Sequence, residues 1–127
     1  MTEECNKKPR LFGSSVSIAN NIVIVGSPAI GENGKVYTYF LKSFNKKVSY
    51  DPISPVDGHE DDGFGICCKI LHDCNKKYYA LIGSHRHYEQ GVSIGAAYLF
   101  FTNNEGETWK QYNQFLPPVA LNKSYYG

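Results

Sequence analysis

The stretch from Leu11 to Phe40 occurs twice, and that duplication constrains the fold more than any other feature. The first copy contains Phe12-Gly13, Val16-Ser17-Ile18, Ile24-Val25-Gly26-Ser27 and Gly34-Lys35-Val36-Tyr37-Thr38-Tyr39-Phe40. The second contains Phe64-Gly65, Cys68-Lys69-Ile70, Leu81-Ile82-Gly83-Ser84 and Gly95-Ala96-Ala97-Tyr98-Leu99-Phe100-Phe101. Tyr126-Gly127 reads as the opening of a third. A period of about fifty residues is that of stacked or radially arrayed units. The expected organisation is a lead-in over 1–10, repeats over 11–63 and 64–125, and the start of a third at 126–127.

Each repeat reads as four short antiparallel strands. Around Val16 and Ile18 apolar and polar residues alternate, as on a half-buried strand. Asn20-Asn21 supplies a tight reversal into the apolar run Ile22-Val23-Ile24-Val25. Asn33-Gly34 is a hairpin signal leading into the aromatic strand Val36 to Phe40. A fourth strand near Lys47 to Tyr50 precedes Pro52 and Pro55, which confine it to a sheet edge or end it. The second repeat follows the same order through Ile66–Leu71, Tyr78–Ile82, Ala96–Phe101 and Trp109–Phe115. No segment keeps a helical period, so the chain is expected to be all-β.

Composition narrows the function. With 13 basic against 12 acidic side chains there is no cationic surplus to neutralise phosphates, which argues against nucleic acid. No apolar run is long enough to span a bilayer, and the polar start from Met1 to Lys8 lacks a signal peptide's apolar core. The chain as written is therefore expected in the cytoplasm; a fragment of a longer protein could be extracellular. Cys67 and Cys68 are strand neighbours pointing to opposite faces, and with Cys5 and Cys74 they form no CxxC pair, so no zinc site is expected. Cys68 stands where Val16 stands in the first copy and is read as a small buried apolar residue.

Phe-Gly at the start, Gly-Ser-Pro or Gly-Ser-His after the second strand, and Gly-x-x-Tyr-x-Phe opening the third resemble the FG-GAP repeat. That repeat builds the β-propeller of integrin α subunits and many surface proteins. The likeness runs from Leu11 to Gly127 and is closest to the tandem bacterial-type variant, in which a tryptophan follows where Trp109 stands. It implies two four-stranded antiparallel propeller blades, a partial propeller, with a third repeat begun. Phe12, Gly13, Gly26, Phe64, Gly65, Gly83 and Trp109 would be the structural motif, with Phe12, Phe64 and Tyr126 as aromatic plugs between sheets. Val16 and Cys68, Ile18 and Ile70, Val25 and Ile82, and Tyr37 and Tyr98 should then be equivalently buried. Two blades do not close a ring, because closure takes about four. A longer chain, ring completion by self-association, or two sheets face to face are the ways out.

Integrin-type copies often hold calcium between strands one and two. Here Ala19-Asn20-Asn21 is too short, and His72-Asp73-Cys74-Asn75-Lys76-Lys77 offers one carboxylate beside two lysines. No metal or cofactor is expected. The longest loops gather at one end of the strands, the expected recognition face for a protein or glycan. Its candidate residues are Asp57, His59, Glu60, Asp61 and Asp62 in one connector and His85, Arg86, His87 and Tyr88 in another. No nucleophile–base motif is present, which favours a non-catalytic interaction module. The alternative is a hydrolase-type enzyme using His59, His85 and the carboxylates of Asp57 to Asp62.

Overall fold

The computed structural model describes residues 10–43 and 45–118; the proposed lead-in, Cys5 and the third Phe-Gly-like pair at Tyr126-Gly127 lie outside them, the lead-in save for Arg10. Every regular element among the described residues is a strand: β1 (Ser15–Ala19), β2 (Ile22–Ser27), β3 (Lys35–Ser43), β4 (Lys46–Ile53), β5 (Phe64–His72), β6 (Tyr78–Ser84), β7 (Tyr88–Glu89), β8 (Val92–Ser93), β9 (Ala96–Thr102) and β10 (Lys110–Phe115). Strands β1-β2-β3-β4 form one antiparallel sheet, β5-β6-β9-β10 a second in the same meander order, and β7-β8 a small hairpin. The fold is all-β and antiparallel, as the alternating patterns imply. No helix among the described residues is long and apolar enough to cross a membrane.

The two sheets share a register. Ser15 pairs with Gly26 and Gly26 with Val36 in the first, while Cys67 pairs with Gly83 and Gly83 with Ala97 in the second. Gly13 and Gly65, each following its phenylalanine, take the same left-handed backbone at φ 96° and 98°, a conformation open to glycine. Local chemistry sets the turns. Asn20, at φ 51°, reverses β1 into β2, and Pro52 sits in β4, an edge strand where its missing N–H is not needed. Asn33-Gly34 is a correction to the hairpin expectation. Gly34 is not in the left-handed region; it is small because a Cβ there would run into the backbone oxygens of Phe64 and Pro28. Close packing between the sheets, rather than a turn, requires it.

The sheets stack against each other around one core. Ile22, Ile24, Val36 and Ile53 of the first meet Phe64, Ile70, Tyr78, Ala80, Ile82, Tyr98 and Phe100 around the second. The polar residues of β1 serve the unpaired edge of β5: Ser17 Oγ accepts from the Ile70 N–H at 3.1 Å, and Ser15 Oγ donates to the Gly65 carbonyl at 3.1 Å. Cys68 packs half-buried against the core, where burial pushes its thiol pKa up although the Ser15 hydrogen bond opposes the shift. A neutral thiol suits the small apolar role expected of it.

Equal burial of the paired positions does not hold, and this is the main correction. Val16 and Ile18 are 66% and 60% exposed, whereas Ile70 is buried and Cys68 half-buried. Phe64 is a plug at 1% exposure, but Phe12 is 56% exposed. Tyr98 is buried and Tyr37 only half so; Val25 and Ile82 alone are both buried. The reason is the direction of stacking. Paired positions point to the same side of their own sheet, and the first sheet covers that side only in the second copy. The sheets therefore stack front to back.

Candidate functional site

The long connectors converge at one end, as expected from the alternation of strand direction. They bring together Asp57, Asp62 and His87 of the candidate set, and place others around them. His87 is 1% exposed. Its Nδ1 donates to Asp62 Oδ2 at 3.0 Å, and its Nε2 to Glu89 Oε1 at 3.0 Å. Asp57 Oδ2 lies 3.9 Å from the same Nε2. Burial alone would lower the pKa of this imidazole, but Glu89, Asp62 and Asp57 outweigh it, and the net shift is upward. A doubly protonated ring is the form that serves two carboxylates at once.

Backbone geometry holds the ring in place. The His87 carbonyl accepts from Ile94 and Gly95 N–H at 2.8 and 3.1 Å, closing the β7-β8 hairpin, whose turn Gln90-Gly91 has positive φ at both residues. Asp62, also 1% exposed, accepts from the His59 N–H at 3.0 Å, and its carbonyl receives Arg86 N–H and Ser84 Oγ–H. Asp61 accepts from the Gly31 N–H, tying in the β2–β3 loop. Tyr98 donates to Asp57 Oδ1 and Gln114 to Asp57 Oδ2, each at 3.0 Å. Burial and the Asp57 charge push the Tyr98 phenol pKa well above its usual value, so it stays a donor.

The remaining candidates are peripheral. His59 is exposed, with Nδ1 3.8 Å from Asp62 Oδ2. Glu60, His85, Arg86 and Tyr88 are exposed on the connectors around the cluster. His85 lies beside Gly63, while His87 turns inward. Sequence reasoning missed Glu89, Tyr98 and Gln114. Glu89 had a signal, two residues from His87 on the same face of an extended segment. Tyr98 and Gln114 are cross-strand neighbours on β9 and β10, with no local mark.

Asp57, His87 and Glu89 place three ligand-type atoms within 4.8 Å of one another, a set that could close on a cation. In this arrangement those atoms serve each other and Gln114. The β5–β6 loop is committed differently. Asp73 Oδ1 caps the Asn75 and Lys77 N–H groups at 2.9 and 3.2 Å, and these bonds, the Asn75 one foremost, lower its pKa. Its one carboxylate stitches a turn. Thermal melts in calcium and in chelator are therefore expected to coincide, and a rise of several degrees with calcium would contradict this.

A second feature bears on function: both outer faces are apolar. The first sheet shows Phe12, Val16, Ile18, Val23, Tyr39 and Leu41 on its free side, and the second shows Leu71, Leu81, Phe101 and Tyr112. Phe12 meets Tyr37 edge to face at 5.4 Å and 67°, much as Phe64 meets Tyr98 at 5.4 Å and 73°. Compared with family models, curated proteins and solved structures, the chain matches none.

Proposed function

We propose that the chain is a non-catalytic interaction module built as two consecutive blades of an FG-GAP-type β-propeller. The observation that carries the reading is the pair Phe12–Tyr37. It repeats the geometry of Phe64–Tyr98 with the same left-handed glycine beside it, yet stands open where the other is sealed by a neighbouring sheet. A surface built like an interior contact is a contact surface awaiting a partner. The loop end is the second surface, with Arg86 and Tyr88 exposed on a platform held rigid by the His87 cluster, suited to a protein or glycan.

The buried cluster supports the non-catalytic reading over the hydrolase alternative. A general base needs a free lone pair facing substrate in a concave site; His59 and His85, the histidines of that alternative, stand exposed on separate connectors, and the buried His87 has both nitrogens engaged with carboxylates. The test is binding of a hydrophobic fluorescent dye to the folded protein. In dilute solution, Ile18→Glu on one face and Leu81→Glu on the other should each remove that face's share of the dye binding, and the double variant nearly all of it, with melting temperatures little changed because both side chains are exposed. A folded wild-type protein that binds no dye in dilute solution would sink the proposal.

A further inference from the structure

We infer that the open face of the first sheet docks on the open face of the second sheet of another copy of this chain, head to tail; the inference rests on the two-blade reading above. Inside the chain, the face carrying Ser15, Ser17, Ile24, Gly26, Val36 and Thr38 covers the face carrying Cys68, Ile70, Ile82 and Tyr98. The shared register makes Cys67, Lys69, Leu81, Gly83, Ala97 and Leu99 the counterparts of the covering set. These occupy the outer face of the second sheet. The uncovered face of the first sheet is in turn the counterpart of the covered one. Each copy thus carries one half of the internal contact at each end.

The seat for the aromatic plug is duplicated too. Phe64-Gly65 lies against Gly26 and Gly34, where a Cβ would strike the Gly65 or Phe64 carbonyl. The second sheet places Gly83 at the position of Gly26 and Gly95, here left-handed and lying against the His85 backbone, at that of Gly34, and Gly13 already holds the left-handed backbone of Gly65. The chain therefore exposes a plug without a seat and a seat without a plug. A second copy supplies both, whereas an unrelated partner of one face leaves the other open. Such a contact is heterologous: repeated, it closes into a ring or extends as a filament.

The contact between copies should be weaker than the one within. Ser15 and Ser17 satisfy the β5 edge in the internal stack, and Cys67 and Lys69 stand in their places on the second sheet. Association in the micromolar range, dependent on concentration, is the expected behaviour.

The experiment is complementation by light scattering, using the same two variants. Ile18→Glu blocks the first-sheet face and leaves the second free; Leu81→Glu does the reverse. Wild-type protein should grow beyond a dimer with concentration, and each variant alone should stay monomeric. An equimolar mixture should form a one-to-one dimer and stop, since only one productive contact remains. A dimer of Leu81→Glu alone would show first-sheet faces pairing with each other and overturn the head-to-tail contact. Absence of association in wild type and mixture alike would overturn the second copy as partner. Retained dye binding in that case would leave the faces standing as a surface for a different polypeptide, whereas loss of both would remove the function as well.

Discussion

Phe64→Ala is expected to cost about 3–5 kcal/mol of stability, and Phe12→Ala less than about 1 kcal/mol in dilute solution. The two residues hold the same place in the repeat, so intrinsic propensity does not separate them. Burial does. Phe64 is sealed between the sheets, edge to face with Tyr98 and Phe100, with Gly34 packed on its carbonyl and Gly26 on that of Gly65. Its loss removes the transfer energy of an aromatic ring and leaves a cavity lined by groups that backbone contacts hold apart. Phe12 keeps more than half its surface in water and gives up mainly its contact with Tyr37. Urea melts of the two variants at low micromolar concentration measure the difference. Near-equal costs would mean that something covers Phe12 under those conditions. If copies associate, raising the concentration should bring the Phe12→Ala cost up, while the Phe64→Ala cost keeps its intramolecular size.

That asymmetry shows what the sequence could and could not say. Strand positions, their order and the antiparallel pairing were legible because alternation and turn residues are local properties. Most strands run one to three residues past their expected ends, β1 is displaced by a single residue, and Trp109 packs against the core from just before β10. Which face of each sheet is covered was not legible, because a repeat gives both copies the same pattern regardless of what lies beside them. Gly34 illustrates the same limit. Asn33-Gly34 has the look of a turn, and only the carbonyl of Phe64, distant in sequence, reveals that the glycine makes room.

The site was half legible for a related reason. The acidic connector and the histidine-bearing loop each stood out by composition, and the meander places them at one end. Their meeting through His87 depends on the β7-β8 hairpin, whose Gln90-Gly91 turn is a weaker mark than Asn-Gly. Without that hairpin His87 would read as exposed beside His85. The hairpin turns the ring inward, onto a buried aspartate from the connector and the end of β9.

Loss of Asp62 should destabilise the fold by about 3 kcal/mol, with a pH dependence that identifies the cause. Asp62→Ala removes the buried partner of His87 Nδ1 and the acceptor of the His59 N–H, and breaking one side of a buried pair costs on this order. The groups facing His87 are Asp57 and Asp62 from the connector, Glu89 from the hairpin, exposed His59, Tyr98 from β9 and Gln114 from β10. Three carboxylates hold the imidazole pKa above its unfolded value of about 6.5, against the effect of burial. For a cation raised in this way, the stabilisation is fully present below about pH 6.5 and fades as pH rises through the folded-state value. The wild-type advantage over Asp62→Ala should therefore be largest near pH 6 and shrink toward pH 9. Asp62→Asn retains the shape and one acceptor but not the charge, so it should cost less and show a flatter profile. Denaturant melts of the three proteins across that range decide the matter. A difference that is constant with pH would mean that His87 is neutral in the folded state and that Asp62 acts only as a hydrogen-bond acceptor.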